Sequence, residues 1–309
     1  MNLKKSKTIC IIGGQGLIGQ EYQKLSKNNY PKIILDKKIK KGSYVKNKIK
    51  YFNYDCLNYK SKNNQISRSD IIIFMVGKIG GLESLDIKNF EKYFQVNCNS
   101  LINTIKKINK KKTKKIIFLS TEHVYEDFSA LSKSLVLEQN PKNYYGVTKL
   151  ISEKILYKFF YENKISVDIL RFPRVIIPSK NSIISNFLKK IINKEKIIIS
   201  NTKLKFNFIY IDDLISSIDE CSKKLNTNFR ILNIFNKDKP LSLIGIIKEF
   251  KRLSNFKVKF VIKNKLILSD HNPILLRSNK NETLNKRFNW SPKFNNKKIF
   301  KKIIDNEIK

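Results

Sequence analysis

The stretch Thr8-Ile-Cys-Ile-Ile-Gly-Gly-Gln-Gly-Leu-Ile-Gly19 decides the fold of this chain. Its opening run is apolar and predicts a short buried strand, and a helical pattern follows to Leu25. Between them, Gly13, Gly16 and Gly19 are spaced three apart. Glycine permits a tight strand-to-helix turn and a close approach of the backbone to a phosphate group, which the N-terminus of the helix attracts. The stretch predicts a phosphate-binding turn, although an ordinary glycine-rich turn has the same composition.

Apolar runs of strand length recur along the first half of the chain, with helical patterns between them. We predict strands at 32–36, 51–56, 70–77, 115–119 and 166–171, and helices at 87–110 and 145–161. The run 70–77 is almost continuously apolar, as expected for a strand that is covered on both faces. This alternation is typical of an α/β, Rossmann-like fold with a doubly wound parallel sheet. We assign residues 1–175 to an NAD-binding Rossmann domain.

The elements become shorter and less regular after Pro178. We predict helices at 183–192, 242–253 and 299–304, strands at 205–211, 230–234 and 258–262, and a further helix capped by Asp212 and Asp213. This half is too interrupted for a second dinucleotide-binding unit. We assign residues 176–309 to a smaller C-terminal α/β substrate-binding lobe, packed as one unit with the first domain over the ligand edge of the sheet.

Two acidic residues follow the second and third predicted strands. Asp36 lies about twenty residues beyond the glycines, where a carboxylate can accept from both ribose hydroxyls of NAD and repel the 2′-phosphate of NADP. Lys37 and Lys38 soften that repulsion, so NAD is favoured over NADP rather than required. A strand-end aspartate that caps a turn is the alternative interpretation. Asp55 is placed to reach an adenine amino group, and Gly77 opens the next loop beside the cofactor.

Tyr145, Lys149 and Glu153 are spaced four apart, so a helix would carry all three on one face. A lysine ammonium one turn from a phenol favours the phenolate and lowers the tyrosine pKa from its usual value of about 10. A tyrosine with a lowered pKa is a usable general base near neutral pH. An amphipathic helix with an incidental Tyr and Lys is the alternative, and the upstream dinucleotide site favours the catalytic interpretation.

Polar residues follow the strand predicted at 115–119. Side chains at the carboxyl end of a central strand in a parallel sheet lie in the ligand crevice. Thr121 can hydrogen-bond a substrate hydroxyl or ketone, and Glu122 and His123 are titratable. For His123, a solvent-facing position in a loop is the alternative.

The formal net charge is +38, from 63 Lys and Arg against 25 Asp and Glu. Such a charge indicates nucleic-acid or anionic-membrane binding when it is clustered. Here the lysines are spread along the whole chain beside abundant Asn and Ile, so we favour solvated surfaces over nucleic-acid binding. The same charge would steer an anionic substrate towards the protein. No apolar run reaches the ~18 residues that span a bilayer, so we predict no membrane partner.

The cysteines indicate a reducing compartment. Four of them are far apart in sequence and form no C-x-x-C pair: Cys10, Cys56, Cys98 and Cys221. Neither a disulfide framework nor a metal site is predicted, and the expected localisation is cytoplasmic.

Together, the motifs resemble the extended short-chain dehydrogenase/reductase family, in its NAD-dependent epimerase/dehydratase branch, which acts on nucleotide sugars. The resemblance runs from Gly13 to about Pro292. The residues that carry it, in the order of the family, are Gly13, Gly16, Gly19, Asp36, Asp55, Asn97, Ser120, Thr121, Tyr125, Pro141, Tyr145, Lys149, Glu153, Arg171, Tyr210, Asp213, Asn233, Trp290 and Pro292.

The resemblance implies a hydride mechanism. Tyr145 would remove the proton from a sugar hydroxyl, commonly at C4, while Lys149 holds the ribose hydroxyls and Thr121 orients the substrate oxygen. NAD would accept the hydride and, in epimerases, return it to the other face of the sugar. The family also implies a homodimer formed through the helices at 87–110 and 145–161.

The complete set of site predictions follows from the motifs and the resemblance. The predicted catalytic residues are Tyr145, Lys149, Thr121, Glu122 and His123. The predicted cofactor site comprises Gly13, Gly16, Leu17, Ile18, Gly19, Asp36, Asp55, Cys56, Val76, Gly77, Asn97, Tyr145, Lys149 and Phe172. The predicted substrate contacts are Lys78, Thr121, Arg174, Asn207 and Arg277.

Departures from the family leave the reaction open. Family members usually have Asn at the position of Arg174, and dehydratases often have Thr-Asp-Glu where this chain has Thr121-Glu122-His123. Glu122 could serve as a dehydratase acid, with His123 in place of its base. We favour a nucleotide-sugar epimerase or close ketoreductase. A 4,6-dehydratase is the first alternative, and a non-catalytic NAD-binding protein that uses its basic surface on RNA is the second.

Overall fold

The computed structural model describes residues 7–125, 139–263, 288 and 290–308, apart from positions 41, 59, 62, 179, 181, 200, 201, 203, 237, 255 and 257. The strands in chain order are β1 Ile9–Ile12, β2 Lys32–Asp36, β3 Ser43–Lys46, β4 Ile49–Asn53, β5 Ile71–Phe74, β6 Lys115–Leu119, β7 Ser166–Arg171, β8 Arg174–Ile176, β9 Ile197–Ile199, β10 Lys205–Phe206, β11 Phe208–Tyr210, β12 Phe229–Asn233, β13 Leu241–Ser242 and β14 Phe260–Ile262. The helices are α1 Leu17–Leu25, α2 Phe90–Phe94, α3 Ser100–Ile105, α4 Tyr144–Asn163, α5 Ile183–Ile192, α6 Ile211–Lys223, α7 Leu243–Leu253 and α8 Asn296–Glu307.

Eight strands form the main sheet in the order β12-β7-β6-β5-β1-β2-β4-β3. Neighbouring strands are parallel except for the edge pair β3–β4. Alternate residues of β1 enter different cores: Ile9 and Ile11 face one layer, while Cys10 and Ile12 face the other. Helices α1 and α6 pack together, and α4 packs against α2. The predicted Rossmann-like α/β fold is confirmed.

The edge strand β3 was not predicted. Its four residues are all exposed, so no apolar periodicity marks it. It joins β4 through Asn47 and Lys48, which both have positive φ, of 49° and 62°. A two-residue turn with both residues in this conformation matches the twist of a hairpin, but the usual sequence signal for it is Asn-Gly.

The long helix predicted at 87–110 is interrupted and ends early. A 3₁₀ turn at Ile87–Asn89 leads into α2, a π-helical turn at Gln95–Asn99 follows, and α3 ends at Ile105. Beyond α3, the amides of Lys107 and Ile108 bond to carbonyls three residues earlier, which tightens the chain into a turn. The predicted strand at 51–56 also ends early, at Asn53.

The second half of the chain differs from prediction at one junction. The strand predicted at 205–211 is divided at Asn207 into β10 and β11, and α6 already begins at Ile211. Asp212 and Asp213 therefore lie in the first helical turn rather than at the cap, which is Tyr210. The Asp213 carboxylate instead accepts from the backbone amides of Lys293 and Phe294, at 2.9 and 3.0 Å.

Strand β12 belongs to the main sheet although it lies within residues 176–309. It pairs with β7, and the two strands are joined by a buried ion pair. Asp168 of β7 accepts from Arg230 Nε at 2.6 Å and Nη2 at 2.8 Å, and lies 2.6 Å from Lys115 Nζ of β6. Helices α5, α7 and α8 pack against one another. The domain boundary at residue 175 stays a prediction.

Across the described ranges, the structure holds no helix that combines the length and the apolar character needed to cross a bilayer.

Candidate active site

The glycine turn between β1 and α1 has little room for side chains. Gly13 has a φ of +85°, which favours glycine, and Gly16 is the N-cap of α1 without any side-chain cap. A Cβ on Gly19 would lie 2.6 Å from the backbone of Gly14. Gly14 itself was missed by the sequence analysis, and a Cβ there would lie 2.6 Å from Ile34 Cγ2. The uncapped helix N-terminus leaves amide groups for an anionic ligand, so the turn fits a pyrophosphate.

Asp36 lies at the end of β2, beside this turn. Its Oδ2 accepts from the backbone amide of Gln15 and its Oδ1 from that of Lys38, both at 2.9 Å. The sequence allowed Asp36 either to cap a turn or to lie at the cofactor site. The structure combines the two, because the carboxylate accepts from the Lys38 amide of its own turn and from the Gln15 amide of the glycine turn. Each oxygen can accept a further hydrogen bond, as a ribose diol requires.

Asp55 and Cys56 lie in a turn beyond the early end of β4. The Asp55 carboxylate accepts from the Leu57 amide at 3.0 Å, and the Cys56 carbonyl accepts from Asn103 Nδ2 at 3.0 Å. Of the other predicted cofactor residues, Leu17 is exposed in the first turn of α1, while Ile18 packs against the core.

Helix α4 presents Tyr145 and Lys149 at the carboxyl end of β6. Asn143 caps the helix, because its side chain accepts from the Gly146 amide at 2.8 Å. Lys149 is buried, donates to the Leu119 carbonyl at 2.7 Å and lies 4.5 Å from the centre of the Phe118 ring. Burial lowers the pKa of Lys149 to about 8, against the opposing charge of Glu153.

The predicted depression of the Tyr145 pKa is not what the protein shows. Burial raises the pKa of Tyr145 to about 12, and a hydrogen bond with Thr121 opposes that rise. The charges of Tyr93 and Glu122 raise it further. The Lys149 ammonium does not lower the pKa of Tyr145, because it is directed to the Leu119 carbonyl. The spacing of four places both side chains on one face but does not fix where the ammonium points.

Glu153, one turn beyond Lys149, anchors α4 to the sheet. Its carboxylate accepts from Nε of Arg171 at 3.0 Å, from Nη2 of the same residue and from the Ser120 hydroxyl. The Arg171 guanidinium also lies 4.7 Å from the centre of the Tyr125 ring, whose hydroxyl donates to Asn233 Oδ1 at 2.7 Å. This network links the carboxyl ends of β6, β7 and β12 to the helix that carries the Tyr-Lys pair.

Thr121 and His123 both lie against Tyr145. The Thr121 hydroxyl accepts from the His123 amide at 3.2 Å and hydrogen-bonds Tyr145. The His123 ring meets the Tyr145 ring edge-on with 5.7 Å between centres, and its Nδ1 lies 3.1 Å from Asn143 Nδ2. A Cβ on Gly146 would overlap the His123 carbonyl, so Gly146 permits this close packing.

The Glu122 side chain is buried and interacts with Asn207 and Arg174. Its Oε2 accepts from Asn207 Nδ2 at 3.0 Å, whereas its Oε1 has no hydrogen-bond partner among the described residues. Burial raises the pKa of Glu122, and the hydrogen bond from Asn207 and the charge of Arg174 oppose that rise. The Arg174 guanidinium stacks 4.4 Å from the centre of the Phe206 ring. The structure thus brings Glu122, which was predicted as a catalytic residue, together with two predicted substrate contacts, Asn207 and Arg174.

The loop after β5 is held from behind by Asn97. Asn97 is fully buried, accepts from the Lys78 amide at 2.8 Å and donates to the Thr148 hydroxyl at 2.9 Å. The Lys78 ammonium pairs with Glu83 at 2.6 Å. These contacts fix the predicted cofactor loop, Val76 and Gly77, to α4.

Two further predictions complete the site. Phe172 follows β7, and its carbonyl accepts from the Glu122 amide at 3.1 Å. Arg277 lies outside the described residues. Within the part of the chain that the structure describes, no three His, Cys, Asp or Glu side chains cluster in a way that could hold a metal ion.

The sheet order, the glycine turn and the tyrosine and lysine at its crevice define a Rossmann-like α/β protein. The chain belongs to the NAD dependent epimerase/dehydratase family, whose model matches residues 9–234.

Individual relatives are similar to the chain at lower identity. A dTDP-D-glucose 4,6-dehydratase of Dictyostelium discoideum is 27% identical, over 73% of this chain and 59% of its own length, so the chain spans little more than half of that relative. The UDP-glucose 4-epimerase of Thermotoga maritima, solved with UDP-glucose, superposes with a TM-score of 0.78 at 18% identity, covering 97% of this chain and 98% of that one. The UDP-glucuronic acid 4-epimerase of Bacillus cereus, solved with UDP-glucuronic acid and NAD, superposes with a TM-score of 0.76 at 21% identity and the same coverage. The structural similarity shows the fold.

Proposed function

We propose that this protein is an NAD-dependent nucleotide-sugar epimerase, or a close ketoreductase, that acts at a sugar carbinol carbon, commonly C4. The observation that carries the proposal is the convergence of Tyr145, Thr121 and Lys149 at the carboxyl end of β6. A half-buried phenol, a hydroxyl bonded to it and an ammonium on the next turn of the same helix are groups that can together remove a proton from an alcohol. The relatives that act on UDP and dTDP sugars support the nucleotide-sugar substrate.

The protein has the features that an NAD site needs. The open amides of α1 would hold the pyrophosphate, Asp36 the adenosine ribose and Asp55 the adenine. Lys149 would hold the nicotinamide ribose, because its ammonium is buried beside Gly77. When bound there, NAD supplies the hydride acceptor of the reaction.

Each protein group has one task in the proposed reaction. Tyr145 takes the proton of the sugar hydroxyl, and Thr121 holds the same oxygen in place. The Lys149 ammonium is retained at neutral pH, because its pKa of about 8 lies above 7. A positive charge beside the phenol must offset the burial that raises the Tyr145 pKa, so movement of the Lys149 ammonium towards the phenol is part of the proposal.

A product assay tests the function. The purified protein with NAD is incubated with UDP- and dTDP-hexoses, and the sugars are separated by chromatography and identified by mass spectrometry. We expect the 4-epimer of one of them to accumulate to equilibrium without net consumption of NAD. A ketoreductase would instead convert the cofactor stoichiometrically, and failure of every hexose to react would count against the proposal.

A 4,6-dehydratase is the second candidate, and Glu122 is the observation that favours it. A buried carboxyl is suited to donate a proton to a leaving hydroxyl when its pKa is raised and one oxygen has no hydrogen-bond partner among the described residues. Glu122→Gln keeps the size and polarity of the side chain but removes that proton. If the protein is an epimerase, we expect turnover within about tenfold of wild type. If it is a dehydratase, formation of the 4-keto-6-deoxy product should fall by about 10²-fold or more.

Asp36 tests the choice of cofactor. Asp36→Ala removes the carboxylate that repels a 2′-phosphate, so the preference for NAD over NADP should fall by at least ~10-fold. Tryptophan-fluorescence or calorimetric titration with both nucleotides measures the ratio of the two Kd values. Asp55→Ala is the matched control: it should weaken both nucleotides equally. An unchanged ratio in Asp36→Ala would remove the ribose role of Asp36.

We also propose a homodimer in a reducing cytoplasm. Tyr157 and Tyr161 are exposed on α4, one of the two helices assigned to the interface, and both are large enough to anchor one. All four cysteines are free and buried, which suits a reducing compartment. A non-catalytic NAD-binding protein is not favoured, because cofactor binding alone has no need of Tyr145 together with Lys149.

A further inference from the structure

The loop that follows β5, residues 77–86, passes directly over the two proposed catalytic side chains. A Cβ built on Gly77 would lie 3.4 Å from Lys149 Nζ. A Cβ built on Gly80 would lie 2.8 Å from Cδ1 of the Tyr145 ring and 3.3 Å from its Cγ. Two glycines three residues apart therefore bring bare backbone against the lysine and the tyrosine in turn.

Space, rather than backbone conformation, requires glycine at position 80. Among the described glycines, only Gly13 has a positive φ, so alanine could adopt the backbone conformation of Gly80. Real Cβ atoms do not approach a ring carbon to 2.8 Å, so either the loop or the Tyr145 ring must shift when a methyl group is added. The ring is confined on its other sides by His123 and Tyr93, with centres 5.7 and 6.4 Å away.

The loop is also held in place from behind. The Tyr93 hydroxyl donates to the Ile79 carbonyl at 3.1 Å, and Asn97 fixes Lys78 as described above. The Ser84 amide donates to the Gly81 carbonyl at 2.9 Å and closes the loop on itself. A loop that is anchored on both sides of Gly80 cannot retreat without breaking these bonds.

We propose that Gly80 is a positioning residue for Tyr145. Its backbone forms one wall of the tyrosine site and fixes the position of the ring. Because general-base catalysis depends on sub-ångström placement of the base, the loop sets the rate through Tyr145 without touching the reacting atoms. This inference rests on the proposed function, since it gives Tyr145 its catalytic task.

Gly81 provides a matched control within the same loop. A Cβ on Gly81 would have no atom within 4 Å, and its φ of −169° is ordinary extended backbone. Gly80→Ala and Gly81→Ala therefore add the same methyl group to adjacent residues, and only the first meets Tyr145.

The experiment measures turnover and the titration of Tyr145 in both variants. We expect Gly80→Ala to lower kcat by ~10- to 100-fold, with Kd for NAD within about twofold of wild type, and Gly81→Ala to leave both within about twofold. Tyr145 ionisation is followed by alkaline ultraviolet difference spectra against the same variant carrying Tyr145→Phe. In Gly80→Ala, the added methyl group displaces the ring from the Thr121 hydroxyl, so the pKa of Tyr145 should differ from that of wild type, whereas in Gly81→Ala it should not.

A second variant removes a hydrogen bond that anchors the loop. Tyr93→Phe removes the hydroxyl that holds Ile79 and keeps the ring, so kcat should fall severalfold in the same direction. Equal kcat in Gly80→Ala and Gly81→Ala, or an unshifted Tyr145 titration in Gly80→Ala, would overturn the inference. The titration needs no substrate, so it gives a result for the loop even if the proposed reaction is wrong.

Discussion

Tyr145→Phe should leave NAD binding intact and lower turnover by ~10³-fold or more. The phenyl ring retains the packing against His123 and Tyr93, so the fold and the cofactor site are preserved. What is lost is the hydroxyl that takes the substrate proton, and removal of a general base costs ~10²- to 10⁴-fold. Steady-state turnover of the reacting nucleotide sugar, together with calorimetric titration of NAD, measures both quantities.

Tyr144→Phe is the control for this experiment. Tyr144 is the adjacent tyrosine of α4, and its ring packs edge-on against Phe90 with 5.5 Å between centres, on the side of α2. Loss of its hydroxyl should leave turnover within about twofold. If Tyr145→Phe were as active as Tyr144→Phe, the proposed mechanism would have to be abandoned, while the family assignment would stand.

Lys149→Met should abolish turnover and at the same time stabilise the free protein at neutral pH. Lys149 is buried, and its pKa is lowered to about 8 from 10.5, so folding disfavours its charged form. The unfolded chain therefore binds a proton more readily than the folded one. Methionine has a similar length and carries no charge, so the gain at pH 7 should be on the order of 1–3 kcal/mol, reduced by loss of the bond to Leu119.

The effect of Lys149→Met on the free energy of unfolding should depend on pH. Between about pH 8 and 10.5 the unfolded chain holds the Lys149 proton and the folded protein does not, so wild-type stability rises with pH across this window. The stability difference between Lys149→Met and wild type should therefore be largest below pH 8 and should shrink above it. Urea unfolding at pH 7 and pH 10 measures this difference.

Lys154→Met is the matched control for the lysine experiment. Lys154 lies on the same helix but is exposed, so its replacement removes no buried charge and should change the free energy of unfolding by no more than about 0.5 kcal/mol at either pH. A pH-independent difference in Lys149→Met as well would contradict the burial of the Lys149 charge.

The sequence predicted those parts of the fold that local patterns encode. The strands β1, β2, β5 and β6 each contain three or four consecutive apolar residues, and their burial on both faces follows from that. The exposed strand β3 and the π-helical turn of residues 95–99 carry no such pattern and were missed. Both depend on how the chain packs against distant residues rather than on its own periodicity.

The sequence predicted which side chains lie together in the candidate site, but not their hydrogen bonds or their pKa values. Helical spacing is sufficient to place Tyr145 and Lys149 on one face of α4. It does not reveal that Lys149 bonds to Leu119 or that burial raises the Tyr145 pKa, because both depend on the surrounding sheet. Gly80 was likewise not predicted as a site residue, because its proposed role depends on contact with the Tyr145 ring, which is distant in sequence.

The position of β12 has a consequence for synthesis of the chain. A ribosome that has released residues 1–175 has supplied β7, but not the strand that covers its outer edge. Until residue 233 emerges, β7 presents unpaired amide and carbonyl groups to other nascent chains. Asp168 also lacks the Arg230 guanidinium, which donates to both of its carboxylate oxygens in the folded protein. We therefore expect the nascent chain to be prone to strand pairing with other chains during this interval.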